Sequence, residues 1–252
     1  MLPRLQPEEY SHSDVRRGVR LPREMTPELA ELLGILMGDG CIAAYKGNGS
    51  SVFMISVSGN ALHDHEYFRY VSELFYTLFN IIPRAYKAKN QNTIVLAVRS
   101  KALFHFFKSI DMNIGPKKDL HIPHTIPEEK AFHIPFIRGL FDTDGSLALK
   151  KYNHDYPVIS LKLNSRYIIE QVEYILRNLG FSMYVEYDTA TYDARGFTSV
   201  GSRIYIYGRK NLRKWVDLIG FHNRRHTKKI ERGMGRVGIS PTVREGPCAL
   251  NS

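Results

Sequence analysis

The chain has 252 residues, 43% of them hydrophobic, enough apolar material for one large domain or two small ones, which excludes wholesale disorder. Thirty-five Lys and Arg against 25 Asp and Glu leave a net charge of +10, an excess that favours a polyanionic partner, nucleic acid first. No run reaches the roughly 18 apolar residues of a membrane span, no signal-peptide block opens the chain, and Cys41 and Cys248 form no CxxC.

These features predict an intracellular protein, in cytoplasm, nucleoid or an organelle host, with no membrane partner, disulfide scaffold or Cys-rich zinc module. The pairs His121-x2-His124 and His222-x3-His226 have spacings a metal could use but no cysteine partners, and they read as solvated histidines.

Residues 1–25 carry three prolines and no apolar periodicity, and read as an N-terminal arm or a poorly ordered leader. Thr26-Pro27-Glu28 then supplies an N-cap, a first-turn proline and a first-turn acid ahead of Leu29, Leu32, Leu33, Leu36 and Met37, which predicts a helix. Its stop is expected at Asp39-Gly40, with the glycine as the usual left-handed terminator. Cys41 to Lys46 is a candidate first strand. Val52 to Ser58 alternates as a strand with Ser56 and Ser58 on its wet side. Leu62, Phe68, Val71, Phe75 and Leu78 mark a helix. Ile81–Lys89, with Arg84 and Tyr86, and Thr93–Arg99 form a hairpin around Asn90-Gln91-Asn92, and Leu103, Phe106, Phe107 and Ile110 mark a short helix.

The same αββαββα order then runs again. It opens with Pro135 as helix starter and Gly145 as stop, followed by strand Val158–Asn164 and a helix through Ile168, Val172, Ile175 and Leu179. A hairpin of Ser182–Asp188 and Val200–Tyr207 and a helix through Leu212, Trp215, Val216 and Ile219 close the copy. Two copies suit two halves about a pseudo-two-fold axis rather than a solenoid. From Phe221 on, seven basic side chains face two acids, among them Arg224, Arg225, Lys228 and Lys229, and this stretch reads as a basic tail.

The repeat is sharpest in Leu32-Leu33-Gly34-Ile35-Leu36-Met37-Gly38-Asp39-Gly40 and Ile137-Arg138-Gly139-Leu140-Phe141-Asp142-Thr143-Asp144-Gly145. Each copy has small residues four apart on one helix face, followed at once by Asp-Gly. Packed across a pseudo-dyad, two such faces bring Asp39 and Asp144 together at the negative ends of two helix dipoles. That arrangement calls for a divalent cation, and oxygen ligands with phosphate substrates point to Mg²⁺, for which Mn²⁺ can substitute. A lone Asp-Gly is usually a turn; two in register, each ending a small-faced helix, are not.

These paired segments resemble the two signature helices of the LAGLIDADG homing endonuclease family in its single-chain, two-motif form, and the resemblance spans about residues 26–220. It implies an α+β fold of two pseudo-two-fold-related halves, 26–124 and 125–220, flanked by the arm 1–25 and the basic tail 221–252. The signature helices would form the interface, and curved antiparallel sheets would form a saddle on the DNA major groove. It implies metal binding by Asp39 and Asp144 with the carbonyls of Gly38 and Thr143, while Asp142, matched to Met37, is not the metal acid. It further implies a basic residue near the site, for which Arg99, Lys162 and, behind them, Arg209 are the candidates.

The strand alternation independently places polar side chains on wet faces: Arg99 in one sheet, and Ser160, Lys162, Asn164, Arg203, Tyr205 and Tyr207 in the other. Such residues bond base edges and phosphates. The expected function is therefore a monomeric, site-specific, metal-dependent endonuclease that cuts both strands of a long pseudo-palindromic DNA target, leaves 3′ overhangs, and is encoded in an intron. Alternatives are a maturase with intron RNA as partner and a DNA-binding regulator on the same fold, which would be expected to lose the paired acids. An intein-embedded nuclease is disfavoured, because the repeat leaves no room for a splicing domain.

Overall fold

The computed structural model describes residues 1–235 apart from 48, 88–91, 118, 151–155, 193–195 and 197. A 3-10 turn (Pro7–Glu9) and α1 (His12–Arg16) lead into α2 (Pro27–Gly38), β1 (Gly40–Gly47), β2 (Ser50–Asn60), α3 (His65–Phe79), β3 (Arg84–Lys87), β4 (Thr93–Arg99) and α4 (Lys101–Ser109). The order then repeats as α5 (Lys130–Thr143), β5 (Gly145–Lys150), β6 (Tyr156–Leu163), α6 (Arg166–Asn178), β7 (Tyr184–Tyr192), β8 (Thr198–Tyr207) and α7 (Arg209–Leu218), with α8 (Arg224–Gly235) following. Each half folds into a four-stranded antiparallel sheet, ordered β1-β2-β4-β3 and β5-β6-β8-β7. The fold is α+β with two similar halves, as the repeat predicts. No described helix is long and apolar enough to cross a membrane.

The core follows from the period of each segment. Ile42, Ile55, Val57, Leu96 and Val98 bury one face of the first sheet, and Leu147, Ile159, Leu161, Ile204 and Ile206 the same face of the second. Each fully buried aliphatic side chain stabilises by about 1.5–3 kcal/mol. Helix α2 is buried at every residue from Leu29 to Gly38, which is possible only because it is sandwiched between its own sheet and α5.

The contact between α2 and α5 is reciprocal. A Cβ on Gly34 would lie 2.1 Å from the Phe136 carbonyl oxygen and 2.9 Å from the Leu140 nitrogen; one on Gly139 would lie 2.2 Å from the Glu31 oxygen and 3.0 Å from the Ile35 nitrogen. Residues 31 and 136, and 35 and 140, are partners under the same repeat that pairs 34 with 139, so the two helices touch about a local two-fold axis. Glycine is required here for backbone approach, not for its φ.

Four expectations are corrected. Gly40 and Gly145 do not act as left-handed stops: neither has positive φ, Asp39 and Asp144 themselves are the C-caps, and the glycines open β1 and β5. They are glycine because a Cβ would meet the Leu36 oxygen at 2.4 Å and the Phe141 oxygen at 2.3 Å. Pro135 does not start its helix but sits inside α5, which begins at Lys130. The N-terminal arm is folded onto the first half: Asp14 is fully buried and its carboxylate accepts the backbone N–H groups of Lys101 and Ala102, the first turn of α4. The basic tail is helical through Gly235 and packed, with Phe221, Asn223, His226 and Ile230 buried, so His226 is not a solvated histidine. The turn residues Asn90 and Gln91 and the chain from Arg236 on lie outside the described residues.

Replacing Gly34 or Gly139 by Ala pushes a methyl group into the facing backbone, which cannot swing aside. Each variant should lose at least about 2 kcal/mol of stability, seen as a lowered urea midpoint with no comparable loss for an exposed-helix Ala substitution.

Candidate active site

Asp39 and Asp144 cap the C-terminal ends of α2 and α5, where the glycine contacts bring the helices together. A Cβ at Gly38 would lie 1.9 Å from the Thr143 hydroxyl oxygen and 3.3 Å from Asp144 Oδ2, so the second carboxylate reaches across to the first helix. Burial raises the Asp39 carboxyl above its usual range, against the pull of Arg225 and Lys117. Burial, with the charge of Asp39 added, pushes Asp144 up to about 6, again against Lys117 and Arg225. The pair is one of like charges held together in a partly dry place.

Two cations not expected in this role flank the pair. Lys117 Nζ donates to the Gly38 carbonyl, and the Arg225 guanidinium donates to the carbonyls of Thr143 and Asp142. Burial lowers the Lys117 ammonium, while Asp144 and Asp39 hold it up. The two are placed alike in their halves: Lys117 lies shortly after α4 and Arg225 shortly after α7, and each reaches the carbonyl that precedes its own half's acid. The signal in the sequence was a basic residue six or seven positions beyond the last apolar residue of each copy, Ile219 and Ile110.

The residues expected here divide as follows. Gly38 and Thr143 carbonyls lie beside the acids, as the helix ends dictate. Arg99 is exposed and pairs in register with Met54, opposite Ala43, three positions along the sheet from Gly40. Lys162 lies level with Arg203 and points to Thr191 Oγ1 (3.4 Å) and Ser199 Oγ (3.3 Å). Neither is among the charges that act most strongly on the acids, a place taken by Arg225 and Lys117. Arg209 opens α7.

The polar sheet faces are where the alternation places them. Ser56 faces Ala97 and Cys41 and is itself buried; Ser58, Arg84, Tyr86 and the unpredicted Tyr45 share its side of the sheet. In the second sheet Ser160, Tyr205 and Tyr184 line up in register beside Lys162 and Arg203, and Tyr205 stacks on Tyr184 and Tyr207. Arg203 is braced by Thr191 Oγ1 at 2.8 Å and Tyr205 Oη at 3.2 Å. Asn164 follows β6 and is exposed. Of the tail cations, Arg224 grips Glu66 with both bonds at 2.7 Å, Lys229 donates to the Leu147 carbonyl, and Lys228 is exposed.

Asp142 explains why Arg225 is where it is. Fully buried, its carboxylate accepts the N–H groups of His222 (2.9 Å) and Asn223 (3.1 Å), and Asn223 bridges it to Asp64 of the first half. Burial raises Asp142 to about 7 despite those bonds. Next to it, Glu31 holds Arg138 at 2.6 Å and His222 Nδ1 at 2.7 Å; burial would raise Glu31, but these hydrogen bonds hold it below its usual value. The chain after α7 is thus fastened to both signature helices.

The raised Asp144 has a defined sign. With a native value of about 6 and an unfolded value near 3.8, the folded chain binds the extra proton between these pH values, so this group's contribution falls as pH rises through 6. Asp144→Asn fixes the neutral form. In EDTA the variant should match wild type near pH 4 and exceed it by on the order of 2 kcal/mol at pH 7.5 in thermal unfolding.

Comparison with known proteins agrees with this geometry. Residues 131–220 match the model of the LAGLIDADG-like domain. The homing endonuclease I-DmoI, in a structure of its mesophilic variants, superposes with a TM-score of 0.54 at 21% identity over 77% of this chain and 95% of its own. In complex with DNA and Mn, I-DmoI gives 0.54 at 20% over 77% and 96%. The LAGLIDADG homing endonuclease I-SmaMI, bound to an uncleaved DNA target in the presence of calcium ions, gives 0.53 at 11% over 82% and 89%. A glutamine–fructose-6-phosphate aminotransferase (isomerizing) of Methanocaldococcus jannaschii is 22% identical over 225 residues; the match takes in 87% of this chain but only 18% of that protein. The chain therefore carries a LAGLIDADG-like domain in its second half and, across both halves, the fold of the two-motif LAGLIDADG homing endonucleases.

Proposed function

We propose that the chain is a site-specific DNA endonuclease that hydrolyses one phosphodiester in each strand and leaves 3′ overhangs, acting as a monomer because both acid-bearing helices lie in one chain. The observation that carries this reading is the half-buried pair Asp39 and Asp144, set between two polar sheet faces and next to two main-chain carbonyls that already attract cations. That attraction fits a divalent cation, with Mg²⁺ the proposed ion; Asp39, Asp144 and the carbonyls of Gly38 and Thr143 would hold it. When bound, such an ion supplies charge neutralisation at the scissile phosphate and a more acidic water.

The protein's own groups supply the rest. Ser58, Arg84, Tyr86 and Tyr45 on one sheet and Ser160, Lys162, Arg203, Tyr205 and Tyr207 on the other present donors and acceptors to a groove, and their registers set the spacing at which bases are read. Lys117 and Arg225 bring positive charge to the place where a phosphate gains negative charge. Deprotonated acids are needed to hold the ion, so cleavage should rise with pH through about 6 as Asp144 loses its proton. A regulator on this fold would have no use for two half-buried acids side by side, and both are present.

One observation bears on how the gene is carried. A match to 87% of this chain but 18% of an aminotransferase fits an endonuclease module inserted within a host protein, a carrier to set beside the intron-borne frame expected from the sequence. Reading the flanking genomic sequence separates the two.

Asp39→Asn and Asp144→Asn should each lower double-strand cleavage at least about 100-fold while leaving binding to target DNA within a few-fold of wild type, measured by plasmid linearisation and gel shift in Mg²⁺. Full cleavage by either variant contradicts the site. Arg203→Ala should cost about 1–3 kcal/mol at a few base positions and relax preference there, read from binding to a library of single-base target variants. A uniform loss across all variants would make Arg203 a phosphate contact instead.

A further inference from the structure

The loop that carries Lys117 to the acid pair is closed at its base by three side chains outside the site described above. Asp111, in the left-handed region at φ 69°, ends the turn after α4, and His121 and His124 lie on the segment that leads to the second half. His121 Nε2 sits 2.8 Å and His124 Nε2 3.8 Å from the same carboxylate oxygen, Asp111 Oδ2. The three ligand atoms lie within 4.8 Å of one another, and the two imidazole rings are 5.5 Å apart. A surface ion pair with Asp111 accounts for His121. It leaves His124 unexplained: its side chain is 78% exposed, yet its Nε2 converges on the same oxygen.

We propose that Asp111, His121 and His124 form a binding site for a borderline divalent metal ion of the Zn²⁺ class, with water in the fourth position. Tetrahedral Zn²⁺ with bonds of about 2.0–2.2 Å places neighbouring ligand atoms roughly 3.3–3.5 Å apart, a value that the 2.8 and 3.8 Å separations bracket. Two imidazoles and one carboxylate select such an ion over Mg²⁺, which takes oxygen ligands. The outer nitrogen of His121 is also engaged: Nδ1 faces the Asp119 carbonyl at 3.5 Å, the arrangement that leaves Nε2 free to ligate.

The surroundings are rigid enough to present these groups. Thr125 Oγ1 donates to the Ile110 carbonyl at 3.1 Å, Ser165 Oγ to the Leu120 carbonyl at 3.0 Å, and Gln171 Oε1 accepts the Ile122 N–H at 2.8 Å. One ligand therefore comes from the end of the first half and two from a strap fastened to the second. A metal ion here ties the base of the 111–121 loop, whose Gly115 N–H bonds to the Ile42 carbonyl and whose Lys117 bonds to the Gly38 carbonyl. The site is structural: it holds the strap between the halves and the lysine beside the acids.

The test uses the tag-free full chain in excess Mg²⁺, which occupies oxygen sites, with Co²⁺ as the probe. Wild type should bind one Co²⁺ per chain with the visible absorption of a four-coordinate ion, and Zn²⁺ should displace it. His124→Ala, at an exposed side chain that the fold does not need, should weaken binding at least about 10-fold. His124→Cys, which keeps a ligand, should restore it. Absence of the Co²⁺ band in wild type, undiminished binding by His124→Ala, or a Cys variant as weak as the Ala variant would each overturn the assignment.

Discussion

Helices α2 and α5 meet with their backbones in contact, and the rest of the molecule is arranged around that contact. Gly34 rests on the backbone at Phe136, and Gly139 rests on the backbone at Glu31. Because the contact is reciprocal, the helices run together toward one end, and the residues that end them, Asp39 and Asp144, are forced side by side. The sheets begin immediately beyond, at Gly40 and Gly145, so the same geometry sets both sheets around the acids. A change of one methyl group at this contact is felt in the site and in the polar sheet faces at once.

Two carboxylates brought together by packing need compensation. Part comes from protonation, since burial raises both and Asp144 reaches about 6. Part comes from Lys117 and Arg225, each lodged on the carbonyl before an acid. These cations are delivered by segments outside the regular halves, and both segments are themselves fastened: the 111–121 loop by its contacts to β1 and the strap, and the chain after α7 by Asp142, Asn223 and Glu31. Asp142, two residues before Asp144, is thus taken up by packing, its carboxylate accepting the N–H groups of His222 and Asn223. Its neighbour Asp144 differs because it lies past the end of the helix, where its side chain is free to meet Asp39.

Much of the fold was legible because the periods are clean. The strand Thr93–Arg99 and both Asp-Gly helix ends could be read directly, and the constant offset that pairs Gly34 with Gly139 and Asp39 with Asp144 exposes the repeat. What was not legible depended on distant partners. Asp14 caps α4 from 87 and 88 residues away, so residues 1–25 looked unstructured. Lys117 sits in a segment with no alternation or helical stripe and Arg225 in the first turn of a strongly basic helix, and only the folded chain shows that they reach the acids. Arg99 and Lys162 carried the right charge on inner strands, but Arg99 lies three positions along the sheet from Gly40 and the Lys162 ammonium is turned to Thr191 and Ser199. Pro135 misled because proline is usual in a first turn, whereas α5 begins at Lys130 and runs through it.

The central claim is that the ends of two packed helices hold divalent cations between DNA-facing sheets. It is tested most directly by a crystal structure of the chain with its DNA target and Mn²⁺, examined by anomalous scattering. The account predicts Mn²⁺ density beside the carboxylates of Asp39 and Asp144, with Lys117 and Arg225 displaced from the Gly38 and Thr143 carbonyls and the scissile phosphates over the acids. Anomalous peaks elsewhere, with the two acids still paired only to Lys117 and Arg225 over bound DNA, would contradict it.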